Sequence, residues 1–319
     1  VIVSRCPVRV SLAGGSTDLD QFLQRYGYGS VLSFSANIYC HIALNFDRLG
    51  LNGLDEKYVI NYMNREVVDK VSEIKNDVAR VVLDHYRVNP TTLWFTSDVY
   101  SSGSGLASST AYLIALLTAV HKGMKTNIEK SELCSLALRL ERQFNGLTGY
   151  QDPYGCGTGG FNRLHFWRGG KVEAESLEVK FLDNFNMYLV STGTSRSSTD
   201  VLKSIDTDKC KPLLEIVDRM HQSILNSDRK TFLELISAGW EEKKKTGKIL
   251  ENENVARLDN SLSNDKDVLA HRLLGAGNGG FFLVFTEKNT KFEDSQMKNG
   301  KRAVRVSVCT DGPQAFDMR

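Results

Sequence analysis

Gly103-Ser104-Gly105-Leu106-Ala107-Ser108-Ser109-Thr110 is a run of small residues that opens directly into an apolar, helix-like stretch. Such a loop lets backbone N–H groups approach an anion closely, and the start of a helix adds oriented donors and a positive dipole end. Phosphate is the natural ligand, although an ordinary tight turn into a helix has the same composition. No GxxxxGK[ST] string occurs in the chain, so a Walker-type P-loop is excluded. A second Gly-rich string, Gly275-Ala276-Gly277-Asn278-Gly279-Gly280, has the spacing of a dinucleotide fingerprint. That fingerprint needs a helix after it, and Phe281 to Phe285 is strand text. It reads instead as a loop packing near bound phosphates or as a helix-to-strand turn.

Two acids stand out. Asp152 lies among small and aromatic residues in Leu147-Thr148-Gly149-Tyr150-Gln151-Asp152-Pro153-Tyr154. A carboxylate in such surroundings can accept a hydroxyl proton or orient the hydroxyl for attack. An Asp before Pro is also an ordinary turn residue. Glu141 precedes it on a largely apolar helix with Leu136, Leu138, Leu140 and Phe144. An acid there wants a partner, and Arg139 or Arg142 could supply a helix salt bridge. The run Lys243-Lys244-Lys245 is either a solvated helix face or a ligand contact.

The elements that position these residues are legible in outline. Strand-like runs at Ile2-Val3, Arg9 to Leu12, Ser30 to Phe46 and Tyr58 to Met63 come first. Val71, Ile74, Val78 and Val82 then share one face of a helix expected from Asp69 to Tyr86. Leu93-Trp94-Phe95 reads as a buried strand leading into the small-residue loop, which opens a helix from Ser108 to His121. A second helix runs from Glu132 to Phe144, with Ser131 able to cap it, before a strand from Arg163 to Trp167. The text loosens around 175–186. Beyond it lie a strand at Met187 to Val190, helices with apolar faces at Leu213, Ile216, Val217, Met220 and at Phe232, Leu235, Ile236, and strands at Phe281 to Phe285 and Val304 to Val308. This mixture predicts two α+β domains, divided as 1–180 and 181–319.

At 319 residues the chain is long enough for two cores, and its formal net charge of +2 provides no broad basic field for nucleic acid. Six cysteines, at 6, 40, 134, 156, 210 and 309, form no CxxC pair and no zinc-like spacing. They are expected to be small core residues in a reduced, cytoplasmic compartment. Val1-Ile2-Val3 reads as a strand, without the pattern of a signal peptide, and no uncharged apolar run of about 18 residues predicts a membrane span.

Taken in order, these motifs resemble the GHMP kinase superfamily. Pro7-Val8-Arg9-Val10-Ser11-Leu12-Ala13-Gly14-Gly15-Ser16-Thr17-Asp18 is similar to its first motif, Gly105 to Ser109 to its GLGSS-like second, and Gly275 to Gly280 to its third. Within the superfamily the chain most resembles D-glycero-D-manno-heptose 7-phosphate kinases. Their PLRISFAGGGTDL-like start, QDQ-like segment followed by GGFN, and TGxSRSA-like element have counterparts at Pro7 to Leu19, Gln151-Asp152-Pro153 with Gly159 to Asn162, and Thr192 to Ser198. Ser16, Ala107 and Pro153 depart from these patterns. Leu12 to Gly15 with Thr17-Asp18 also resembles the LAGGWTD form of fucose kinases, whereas the GEHTDY-like string of galactokinases is missing. A non-catalytic sugar or nucleotide sensor would be expected to lack the equivalents of Asp152 or Arg9.

The resemblance implies an N-terminal α/β domain, a ferredoxin-like C-terminal domain and an active site between them. It implies Asp152 as catalytic base or hydroxyl-orienting group, with Arg9 stabilising charge on the transferring phosphoryl group. ATP would bind Gly103, Ser104, Gly105, Leu106, Ala107, Ser108, Ser109 and Gly277, and Ser109 and Glu141 would hold Mg²⁺. Gly15, Thr17 and Asp18 would contact a sugar or sugar phosphate, with Arg196 placed to hold a distal phosphate. The expected partners are thus small molecules, with neither nucleic acid nor membrane, and with room for a homodimer.

Overall fold

Two long apolar strands carry the first half of the chain in the computed structural model, which describes residues 1–46, 57–100, 103–194, 198–249, 252–292 and 302–318. β1 (Ile2–Ala13) is buried without a break from Cys6 to Ala13 and pairs antiparallel with β2 (Tyr28–Phe46). Between them α1 (Asp20–Tyr26) ends on Gly27, whose left-handed backbone (φ 79°) closes the helix. After the hairpin of β3 (Tyr58–Asn61) and β4 (Arg65–Val68), α2 (Asp77–His85) begins later than its apolar spacing predicts. Asn76 accepts from the Ala79 N–H and caps it there, leaving Val71–Glu73 as a separate 3₁₀ turn.

β2 is long enough to serve two further partners. Its residues Cys40 to Phe46 pair with β5 (Thr91–Ser97), which also takes β3 in parallel. Its residues Tyr28 to Phe34 pair with β6 (Phe161–Trp167), and β6 pairs on to β7 (Val172–Ser176). Three helices lie between β5 and β6: α3 (Ser108–Met124), α4 (Lys130–Glu141) and α5 (Gln151–Gly157). α3 is buried almost all round, through Leu113, Ile114, Leu116, Leu117 and Val120, as a helix in the centre of a core must be. Ser4 of β1 donates to the Ala115 carbonyl at 2.7 Å and fixes its position. α4 starts at Lys130, so Ser131 sits in its first turn and does not cap it.

The second half contains β8 (Asn186–Ser191), α6 (Ser198–Lys203), α7 (Pro212–Leu225), α8 (Arg229–Lys244), α9 (Glu253–Ser263), β9 (Ala270–Leu273), β10 (Phe281–Thr286) and β11 (Ala303–Val306). Its strands form an antiparallel sheet ordered β11-β8-β10-β9. Fourth, first, third, second is the ferredoxin-like order that the resemblance implied. The Gly275 to Gly280 string joins two strands of this sheet, β9 and β10, and is not a helix-to-strand turn. The expected strand from Val304 to Val308 ends at Val306.

β12 (Gln314–Asp317) then returns to the first sheet and pairs with β1 from Ile2↔Asp317 to Arg5↔Gln314. The first sheet thus takes its eighth strand from the far end of the chain. Side chains from both halves, among them Val10, Leu116, Val217, Phe232 and Phe285, form one continuous apolar core. All six cysteines are buried and unbridged. Among the described residues no helix is long and apolar enough to cross a membrane.

Candidate active site

A cleft of about 390 Å³ opens where the start of α3, the end of α4, the start of α5 and the β9–β10 loop converge. Its floor is the small-residue loop. Gly105 has φ +75°, and a methyl built on it would lie 2.6 Å from the Leu274 carbonyl oxygen, so only glycine is accommodated. Ala107 also has a left-handed backbone, φ 60°, and no side chain caps α3. The first-turn N–H groups of α3 are therefore left for a ligand at the cleft. Ser108 and Ser109 line that opening, with Ser109 exposed to it. Leu106 is instead fully buried, and its carbonyl accepts from the Arg9 N–H at 3.2 Å. From the β9–β10 loop Gly275 and Ala276 line the cleft, while Gly277 packs against Ile249.

β1 delivers Arg9 and α5 delivers Asp152. Arg9 donates from Nε at 2.9 Å and from Nη2 at 2.7 Å to the same oxygen, Oδ1 of Asp152, and from Nη1 to the Gly105 carbonyl at 2.7 Å. Burial alone would lower the Arg9 pKa; the Asp152 carboxylate more than offsets it, so the guanidinium stays charged. Asp152 is 27 % exposed and Arg9 4 %, so the acid faces the cleft and the arginine holds it from behind. Pro153 follows within the first helical turn, where its missing N–H costs nothing.

Asp18 is fully buried at the other side of Gln151. Its Oδ2 accepts the Gln151 backbone N–H and its Oδ1 the Gln151 side-chain amide, both at 3.0 Å. Gly149 leaves the room, because a methyl on it would collide with Oδ2. Burial raises the Asp18 pKa to about 6, with the Gln151 hydrogen bond opposing the rise. Gln151, adjoining both acids, stands in the QDQ-like segment, but the sequence assigned it no role.

Glu141 closes the third side. It is 1 % exposed, accepting from Ser109 Oγ at 2.6 Å and Thr110 Oγ1 at 2.5 Å. Burial raises its pKa to about 7 against those two hydrogen bonds. The salt bridge suggested by its sequence neighbours does not form with Arg142, which pairs with Asp20 at 3.0 Å and lies over the Tyr150 ring. The helix end turns Arg142 away from Glu141.

Gly15 is buried beside the Gln151 side chain. Thr17 does not reach the cleft: its hydroxyl donates to the Gly14 and Ser30 carbonyls and braces the turn after β1. Arg196 lies outside the described residues. A larger hollow of about 1000 Å³, beside Tyr100, Thr192 and α9, is lined by none of these three acids.

Residues 71–160 match the GHMP kinases N terminal domain, a span that ends just past α5 and includes the phosphate-type loop, Glu141 and Asp152. This part of the chain is a GHMP kinase N-terminal domain. The chain is 25 % identical over 313 residues to the D-glycero-alpha-D-manno-heptose 7-phosphate kinase of Campylobacter jejuni, covering 91 % of each. It shares the fold of a D-glycero-D-manno-heptose 1-phosphate kinase from Bacteroides thetaiotaomicron (TM-score 0.78, 22 % identity, 100 % of both chains). The Methanococcus jannaschii mevalonate kinase is similar in fold as well, with a TM-score of 0.74, 16 % identity and 97 % and 98 % coverage.

A divalent cation would find oxygen donors here. Ser109 and Glu141 bring a hydroxyl and a carboxylate oxygen within hydrogen-bond distance of one another, and both border the cleft. A hard cation wants oxygen donors only. It would also relieve the buried Glu141, whose charged form is disfavoured by burial and by Asp152.

Proposed function

We propose that this ATP-dependent sugar kinase phosphorylates the C1 hydroxyl of D-glycero-D-manno-heptose 7-phosphate. The observation that carries the reading is the pair of carboxylates on either side of Gln151, Asp152 beside the phosphate-type loop and Asp18 behind it. Similarity to a heptose 7-phosphate kinase along 91 % of the chain supports the choice of sugar.

The γ-phosphate of ATP lies over the α3 N-terminus, where backbone donors and the helix dipole favour its charge. The acceptor sugar is held by Asp18 through its hydroxyls. Asp152 accepts the hydrogen of the attacking hydroxyl through the oxygen that Arg9 leaves open, and takes up that proton as the new P–O bond forms and ADP departs. Arg9 fixes the acid's rotamer and places a positive charge next to the transferring phosphoryl group. Magnesium, held by Ser109 and Glu141, supplies neutralisation of the phosphate charge when bound. Positioning and charge stabilisation then account for most of the catalysis, as phosphoryl transfer requires.

The test compares wild type and Asp152→Asn on a panel of heptose 7-phosphate, unphosphorylated heptose, fucose and galactose with ATP. Wild type should use heptose 7-phosphate best, and Asp152→Asn should lose about two or more orders of magnitude in kcat while remaining folded, with a melting temperature lowered by the loss of the ion pair to buried Arg9. Preference for an unphosphorylated sugar removes the heptose phosphate assignment. Near-normal turnover in Asp152→Asn removes Asp152 from the chemistry.

A further inference from the structure

The basic run at the end of α8 divides into two environments. Lys244, half-buried over the Trp240 ring, pairs with Glu241 and the buried Asp259, and Lys245 pairs with Glu242 on the solvated face. Lys243 is 4 % exposed and continues the buried face of α8 after Phe232, Leu235, Ile236 and Gly239. A lysine in such a position keeps its charge only if the ammonium reaches polar surroundings. It reaches the cleft. Its Nζ donates to the Gly275 carbonyl at 2.6 Å, and a methyl built on Gly15 would lie 3.3 Å from Nζ and 3.9 Å from the Gln151 amide nitrogen. The ammonium therefore stands beside the first-motif turn and the residue that holds Asp18, on the acceptor side.

The cleft's charges give that position a meaning. Among the described residues its lining carries three carboxylates, Asp18, Glu141 and Asp152, and two cations, Arg9 and Lys243. Arg9 is committed to Asp152 and the Gly105 carbonyl. A phosphorylated acceptor brings further negative charge into a partly closed site and requires a charge-assisted donor. We propose that Lys243 is that donor, a specificity-determining residue that binds the phosphate group carried by the acceptor. This inference rests on the reading of the acceptor as a sugar phosphate.

The same ammonium could serve a phosphate of ATP, so both substrates must be varied. Steady-state kinetics of wild type, Lys243→Gln and Lys243→Arg are measured with heptose 7-phosphate, with unphosphorylated heptose and with ATP. Glutamine keeps an N–H donor for Gly275 and removes the charge. It should raise KM for the sugar phosphate roughly 10- to 100-fold, the usual range for a lost charged hydrogen bond. KM for the unphosphorylated sugar and for ATP should stay within about twofold, and Lys243→Arg should recover most of the loss. If Lys243→Gln does not fold, Lys243→Met is read in the same way. An equal change for both sugars makes Lys243 a brace for the β9–β10 loop, and a change confined to ATP assigns it to the donor; either result overturns the proposal. Wild type that prefers the sugar phosphate, with an unchanged preference in Lys243→Gln, overturns this inference alone. Wild type that prefers the unphosphorylated sugar overturns the acceptor reading and this one together.

Discussion

Glu141 stands where two demands meet: it is buried as deeply as a core leucine, and it is surrounded by hydroxyl donors that favour its charged form. Burial wins, and its pKa rises from the usual carboxylate range to about 7. The folded protein therefore binds this proton more tightly than the unfolded chain. Stability from Glu141 is fully present below the unfolded pKa of 4.5 and is lost as pH rises through about 7. Glu141→Gln removes that dependence. In metal-free buffer the variant should melt close to wild type at pH 4 and above it at pH 8, by roughly 1–3 kcal/mol at about 1.4 kcal/mol per pK unit. Added magnesium should narrow the gap by holding the carboxylate charged. A gap independent of pH would mean that Glu141 is ionised throughout. Arg9, Asp18 and Asp152 were legible as residues because each stands in a motif, and Glu141 because it is an acid on a largely apolar helix. Their partners were not: Gln151 meets Asp18 across 133 positions and Thr110 meets Glu141 across 31. Arg142 looked like a partner by proximity in sequence, but the side-chain direction at a helix end decides such pairs.

Elements were legible where one apolar pattern persisted, and misread where a few local contacts set the boundary. β9 is only four residues, Ala-His-Arg-Leu, all buried, two of them ionisable; such text does not announce a strand. The Gly-rich string after it was therefore read either as a loop near bound phosphates or as a helix-to-strand turn, and not as a link between two strands. The phosphate-type loop has the opposite character, since its element was evident but its strain was not. Ala107 occupies the left-handed region with φ 60° and ψ 40°, at the position where the resembled motif has glycine. A Cβ there costs about 1–2 kcal/mol, part of which glycine returns as extra freedom of the unfolded chain. Ala107→Gly should stabilise the protein by about 0.5–1 kcal/mol, a rise of about 1 °C in Tm by calorimetry. A fall would show that the methyl's packing against the core outweighs the strain.

The scale of the whole molecule is where composition said least. A division at residues 180/181 follows the chain, and the four-stranded sheet of the second half does form from one continuous segment. Two features cut across it. β12 closes the first sheet from the end of the chain, and the apolar core runs without interruption from β1 and α3 to α7, α8 and β10. Pairing partners that far apart leave no trace in periodicity, because a four-residue edge strand carries too few apolar positions to identify its neighbour. Domains that share so much buried surface should not unfold separately, since exposing either half uncovers the core of the other. Calorimetry of the unliganded protein should give one transition whose van't Hoff and calorimetric enthalpies agree. Deletion of residues 314–319 should lower Tm of that single transition, because it opens the β1 edge from Ile2 to Arg5 and uncovers part of α3. Two resolved transitions, or a deletion that shifts only one of them, would establish that the halves are energetically independent despite their common core.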